Sequence, residues 1–243
     1  MSGPPFDNTA FALSFETSGA IGEVALARGQ DVIARVRFHK RRAHATEFLP
    51  AIESLCRDHR VEPRQVRLVY VSAGPGSFTG LRIGITAARM IALAQEATIV
   101  AVPTLEVIAQ NALLAPDPPQ EIAVVLDAKR KRVYAASFQL EGDRYHATCK
   151  PAEVDPRAFL ETCSPNCHVL GEGVPYHRGA ILAAQRPLLP DACYPPRAAT
   201  VALLGYQKAQ QGKVVDPRHL TPVYIRPPEA EEKWAATNPN TPR

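Results

Sequence analysis

Gly74-Pro75-Gly76-Ser77-Phe78-Thr79-Gly80-Leu81-Arg82-Ile83-Gly84 decides how the rest of this chain is read. The stretch follows a short apolar run, Leu68-Val69-Tyr70-Val71, with the composition of a buried strand. It opens a helix-like run from Leu81 to Gln95. Four glycines and one proline in eleven residues describe a tightly constrained turn. Glycine reaches backbone angles that other residues avoid, and proline sets its own φ. Thr79 is the expected N-cap, its hydroxyl accepting from one of the first free N–H groups.

A glycine turn between strand and helix invites a phosphate, because helix N-termini present N–H groups and positive dipole. The specific versions of that chemistry do not fit. A phosphate loop needs Lys after its last glycine, but Leu81 follows Gly80. A dinucleotide fingerprint starting at Gly74 needs glycine where Thr79 stands. A nucleophile elbow around Ser77 needs glycines at the positions of Pro75 and Thr79. A structural turn, letting a helix cross close to a sheet, is the reading that spacing supports.

As a literal string, GPGSFTGLRIG closely resembles the signature of the TsaB (YeaZ) family, bacterial tRNA threonylcarbamoyladenosine biosynthesis proteins related to TsaD. Weaker matches follow in the family's order. They are His44 with Leu49-Pro50, Asp127-Ala128 with Val133-Tyr134, and the closing Pro222-Val223-Tyr224-Ile225-Arg226. Lys129 stands where the family commonly has Arg, and Glu16 where it usually has Asp. The resemblance covers about Leu13 to Arg226.

Length and composition agree with a globular protein. The 243 residues suffice for one large or two modest domains. No apolar run reaches the length of a membrane span. Residues 1–10 lack the charged start and apolar core of a secretory signal, so a cytoplasmic location is expected. Five scattered cysteines read as reduced thiols. Cys163 and Cys167, with His168 beside them, offer only half a metal site, and no metal is expected. The net charge of +4 permits contact with RNA without indicating it. Arg41-Arg42 and Lys129-Arg130-Lys131-Arg132 are short basic clusters of the kind usually found in solvated turns.

Periodicity supplies the elements. Phe11 to Phe15, Glu23 to Ala27 and Asp31 to Phe38 read as three successive strands. Ala43 to Asp58 reads as a helix with Phe48, Leu49, Ile52, Leu55 and Cys56 on one face, and Pro50 inside it. Leu81 to Gln95 is apolar on most sides and must be buried on most sides. Thr98 to Val102 is a strand, Leu105 to Leu114 a helix, and Ile122 to Leu126 and Arg132 to Leu140 are further strands. Residues 141–196 read as loop-rich, with a short strand at His168-Val169-Leu170, and Ala198 to Gln210 as a helix ended by Gly212.

The resemblance implies an α/β fold of two actin-like lobes, the architecture of actin, sugar kinases and heat-shock ATPases, with the second lobe reduced. The expected division is 1–108, 109–228 with the last helix returning to the first lobe, and a disordered tail at 229–243 that contains Trp234. In that architecture the first hairpin cradles nucleotide phosphate. Glu16, Thr17 and Ser18 are therefore the candidates for a nucleotide contact, against a plain hairpin turn satisfied by its own hydroxyls. The metal-binding histidines of TsaD have no counterpart: their places hold Thr104 and Ile108. Asp127 reads as a turn or cap residue before a catalytic carboxylate.

By resemblance, the chain is a non-catalytic subunit that binds and supports TsaD, in a complex with the ATPase TsaE. It would pair with itself when alone and meet tRNA only through the complex. No cofactor is expected in this chain by itself; ATP or ADP is left to the complex interface. The expected partner surface is His44, Phe48, Leu49, Ile52, Leu55, Cys56, Leu81, Arg82, Ile85, Arg89 and Met90. On that basis Ile85→Asp should abolish partner binding without unfolding the monomer. The alternatives are an actin-like ATPase or kinase, and a degenerate peptidase-like homologue.

Overall fold

The structure is a computed structural model that describes residues 9–40 and 43–226. Arg41-Arg42 and the tail containing Trp234 lie outside the described residues.

The first sheet is built from β1 (Phe11–Glu16), β2 (Glu23–Arg28), β3 (Asp31–Arg37), β4 (Val66–Gly74) and β5 (Thr98–Pro103), in the order β3-β2-β1-β4-β5. The first three strands run antiparallel, while β4 and β5 are parallel to β1. Strands joined in parallel need crossovers, and two helices supply them: α1 (His44–Asp58) and α2 (Phe78–Gln95). Alternation along β1 divides its side chains between two faces. Leu13 and Phe15 meet Phe48 and Leu55 of α1 and Ile85, Ala88 and Ala92 of α2 in one core cluster. Ala12 packs in a second cluster with Tyr70 and Val100. That cluster is closed by Val107 of α3 (Thr104–Gln110) and by Val201 and Leu204 of α6 (Ala198–Gln210).

The final helix thus packs on the first sheet. Ser14 Oγ donates to Ala198 O over 2.8 Å, and Ala198 N donates to Glu23 Oε2 over 2.6 Å. A carboxylate on the first N–H groups of a helix is favourably placed with respect to the helix dipole.

The second sheet has the order β10-β6-β7-β8, with β9 also pairing to β7. Its strands are β6 (Glu121–Asp127), β7 (Val133–Glu141), β8 (Arg144–Ala147), β9 (Ala152–Val154) and β10 (His168–Leu170). Helices α4 (Pro156–Glu161) and α5 (Val174–Ala183) cover it, and Leu105 and Ile108 of α3 enter its core. One short helix thus packs into both lobes. Thr104 and Ile108 are both buried.

Several boundaries move. α2 starts at Phe78, three residues earlier than periodicity suggested, and its N-cap is Ser77, not Thr79. Ser77 Oγ accepts from Gly80 N at 3.3 Å, leaving Thr79 exposed on the first turn. α1 continues through Pro50, which sits on its exposed side. The stretch 141–196 is more ordered than expected, since β8, β9, α4 and α5 all fall within it. Signals for α4 were present: Asp155 Oδ1 accepts from Ala158 N at 2.9 Å, and Pro156 occupies the first helical position.

Candidate functional site

The glycine motif and the first hairpin turn out to be one structure. Gly80 and Gly84, four apart, share one face at the start of α2, and Gly76 lies in the turn just before its N-cap. That face lies on the Glu16-Thr17-Ser18 turn. A Cβ on Gly76 would stand 2.6 Å from Ser18 O, and one on Gly84 would stand 2.3 Å from Thr17 Oγ1. A Cβ on Gly80 would stand 1.9 Å from Thr17 O. Ser77 N donates to Ser18 O over 2.8 Å, closing the contact. Gly76 and Gly80 let backbone meet backbone, and Gly84 makes room for the Thr17 side chain.

This contact buries the three nucleotide candidates. Glu16 and Thr17 are 0 % exposed and Ser18 is 4 % exposed. Glu16 Oε1 accepts from Ser18 N at 2.6 Å, from Ser18 Oγ at 2.5 Å and from Gly19 N at 3.2 Å. Oε1 is thus spent on its own turn, while Glu16 Oε2 and Thr17 Oγ1 are buried without a hydrogen-bond partner. Burial pushes its pKa from 4.5 up to about 7, against hydrogen bonds from Ser18, Ser72 and Gly19 that favour the carboxylate.

A raised acid pKa has a definite consequence for stability. Between pH 4.5 and about 7 the folded chain holds a proton that the unfolded chain has released, so stability falls as pH rises through that window. The full loss is about 3 kcal/mol above pH 7. Glu16→Gln keeps the acceptor oxygen and removes the charge. Its melting temperature should exceed the wild type's at pH 8 and converge with it at pH 5. Parallel melting curves for the two proteins across that range would refute the buried-carboxyl account.

A second group of side chains gathers where the lobes meet. Val223 N donates to Ala73 O over 2.7 Å, tying the closing segment to the end of β4. Tyr224 then stacks on Phe78, with centroids 5.6 Å apart and planes at 29°. Arg82 lies over the Phe78 ring at 4.9 Å. Arg226 Nη1 reaches Ala128 O and Glu153 Oε1, each at 3.2 Å. Asp127 pairs with Lys129 Nζ at 2.7 Å and with His177 Nε2 at 3.1 Å. Partial burial opposes its ionisation, but the hydrogen bonds from Lys129 and His177 prevail and hold its carboxyl below the usual range. His177 was missed in the sequence, because fifty residues separate it from Asp127 and no local spacing links them. The pair joins the end of β6 to α5, an anchoring role in line with the turn reading of Asp127.

The expected partner surface divides in two. Phe48, Leu55, Leu81 and Ile85 face inward, and His44 is buried against the edge of Phe38. Burial lowers the His44 pKa, favouring the neutral ring. These five are core residues of the chain itself. The outward set is Leu49 and Met90, 66 % and 64 % exposed, together with Arg82 and the partly exposed Ile52, Cys56 and Arg89. Leu93, 57 % exposed and one turn beyond Met90, was overlooked. A helix apolar all round does not declare which side its own sheet will take.

All five cysteines are free thiols. Among the described residues no group of three His, Cys, Asp or Glu side chains is placed to hold a metal ion, and no helix is long and apolar enough to cross a membrane.

Comparison with known proteins gives the same family from three directions. Residues 32–234 match the family described as "TsaD: tRNA N6-adenosine threonylcarbamoyltransferase". The tRNA threonylcarbamoyladenosine biosynthesis protein TsaB of Bacillus subtilis (strain 168) is 30 % identical over 233 residues, 91 % of this chain and 96 % of the relative. Its namesake from Escherichia coli (strain K12) is 28 % identical over 76 % of this chain and 81 % of the relative. Among solved structures, YeaZ from Pseudomonas aeruginosa superposes with a TM-score of 0.74 at 26 % identity, covering 88 % of this chain and 99 % of that one. With its glycine motif closed on the first hairpin and its last helix returned to the first sheet, the chain belongs to the TsaB (YeaZ) family of tRNA threonylcarbamoyladenosine biosynthesis proteins, itself related to TsaD.

Proposed function

We propose that this chain serves tRNA threonylcarbamoyladenosine biosynthesis as a non-catalytic subunit that docks on TsaD through the outer faces of α1 and α2, TsaE joining the same complex. The observation that carries the reading is an apolar stripe on the outside of the first lobe. On α2, Ile83, Ala87, Met90 and Leu93 recur every three or four residues and are partly or fully exposed. On α1, Leu49, Ile52 and Cys56 recur likewise. The two helices are neighbours over the same core cluster, so their stripes adjoin. Small Ala87 allows close approach and flexible Met90 adapts to a partner. The same stripe can pair with a second copy of the chain when TsaD is absent.

An ATPase or kinase reading would need the first hairpin to admit phosphate. The burial of Glu16, Thr17 and Ser18 under Gly76, Gly80 and Gly84 speaks against it. ATP or ADP is assigned instead to the joint between partners.

Leu49→Asp and Met90→Asp test the docking face, because both side chains project into solvent and neither fills the core. Each should weaken the complex with TsaD by about 2 kcal/mol or more while leaving the melting temperature of the isolated chain nearly unchanged. Size-exclusion chromatography with light scattering, on each variant mixed with TsaD, reads the result. Wild-type complex formation by the double variant would place the interface elsewhere, and ATP turnover by the isolated wild-type chain would contradict the non-catalytic reading.

A further inference from the structure

The loop joining β6 to β7 has a backbone its sequence does not favour. Lys129, Arg130 and Lys131 take φ values of 66, 50 and 59°, three consecutive side-chain-bearing residues in the left-handed region. Glycine or asparagine enters that region at lower cost. The loop is held there from below. Lys129 N donates to Asp127 Oδ1 at 3.1 Å, Arg132 N to Lys129 O at 2.8 Å, and Ala128 N to Arg132 O at 2.9 Å. The result projects Lys129, Arg130 and Lys131 into solvent.

Aromatic rings border this loop on two sides. Lys129 Nζ lies 5.7 Å from the ring centre of Tyr176, which is 61 % exposed. On the other side Arg226 bonds to Ala128 O at the base of the loop. Two residues before Arg226, Tyr224 stacks on Phe78, and Arg82 lies over Phe78. Tyr224 and Phe78 are 38 % and 41 % exposed. Two residues of chain, at most ~7 Å, and the length of the Arg226 side chain therefore link the stacked pair to the base of the loop. The acidic groups there, Asp127 and Glu153, are already matched by Lys129, His177 and Arg226. The balance is therefore cationic.

We propose that Phe78, Arg82, Lys129, Lys131, Tyr176 and Tyr224 form a contact surface for single-stranded RNA at the junction of the two lobes. Arg82 and Lys131 neutralise phosphates, Lys129 being paired with Asp127, and the exposed parts of Tyr224 and Tyr176 stack on unpaired bases, with Phe78 backing Tyr224, the combination that serves single-stranded nucleic acid. A ring-free polyanion such as polyglutamate would use the cations but has no flat rings to place on Tyr224 and Tyr176. The proposal rests on the chain's part in tRNA modification and adds that this chain touches the RNA itself, where the sequence suggested contact only through the complex.

The test is fluorescence anisotropy of the full wild-type chain, without TsaD, titrated into a labelled RNA stem-loop and the matching blunt duplex at several salt concentrations. The stem-loop should bind more tightly than the duplex. Phe78→Ala and Tyr224→Ala should each weaken stem-loop binding about ten-fold. Arg82→Glu and Lys131→Glu should weaken it and reduce the slope of log affinity against log salt by about one each. Lys213→Glu, an equal change of charge at the opposite end of the first sheet, should leave binding unchanged. Lys131→Glu and Tyr224→Ala, at residues outside α1 and α2, should still form the TsaD complex, which separates this surface from the α1–α2 face. No binding by the wild type, an equal effect from Lys213→Glu, unchanged affinity in both aromatic variants, or equal competition by polyglutamate would each overturn the proposal. Failure of the wild type to bind TsaD would count against the docking face alone.

Discussion

Gly80→Ala should strongly destabilise this protein. The added methyl carbon would stand 1.9 Å from Thr17 O. That atom is backbone in a turn fixed by Glu16 Oε1, so no side chain can swing aside. Relief requires α2 to lift from the hairpin, which would pull Ile85, Ala88 and Ala92 away from the sheet as well. Overpacking of this kind exceeds the usual 1–3 kcal/mol, and about 3–5 kcal/mol is expected. For a chain of this size that is a fall of about ten degrees in melting temperature. Gly179→Ala is the matched control: it lies in α5 with nothing within 4 Å of its added carbon. It should leave stability unchanged or raise it by up to about 1 kcal/mol. If Gly80→Ala melts with the wild type, helix and hairpin do not meet as described.

Ile85→Asp should give the larger loss of the two, and for a reason opposite to the one its place in the sequence suggests. The partner surface expected from the resemblance included Ile85, where a charge would disrupt docking and spare the monomer. In the fold Ile85 is 3 % exposed, packed in the cluster shared by β1, β4, α1 and α2. The substitution removes a core side chain, at about 2–5 kcal/mol, and buries a carboxylate without a partner. The sum, more than about 5 kcal/mol, equals much of the stability of a typical domain. Circular dichroism of the isolated variant decides the matter before any binding experiment. A folded Ile85→Asp monomer that fails only to bind TsaD would restore the sequence-based surface and remove Ile85 from the core. For the same reason the docking face is tested at Leu49 and Met90, which a charge can reach without entering the core.

The first lobe was largely legible without coordinates. Strands β1 to β5 alternate or run apolar over short segments bounded by turn residues, and α1 and α6 carry helical spacing. Those patterns arise from local geometry, so they can be read locally. The second lobe was less so. β8 and β9 are short, half-exposed strands whose ladder partner β7 supplies most of the order. Propensity over three or four residues is too small a signal to show that.

By itself, the sequence determined the family, the α/β class, the order of the elements and the presence of a constrained glycine turn before α2. It also carried the glycine spacing of four, though not what lies against it. Tertiary structure alone decided that Thr17 and Ser18 press on those glycines, that His177 meets Asp127, and that Tyr224 comes back to stack on Phe78. It alone sorted the apolar residues of α2 into a core side and an outer stripe. Each of these is a contact between residues distant along the chain. Local spacing records which side chains share a face, but which face is buried depends on the elements that pack against it.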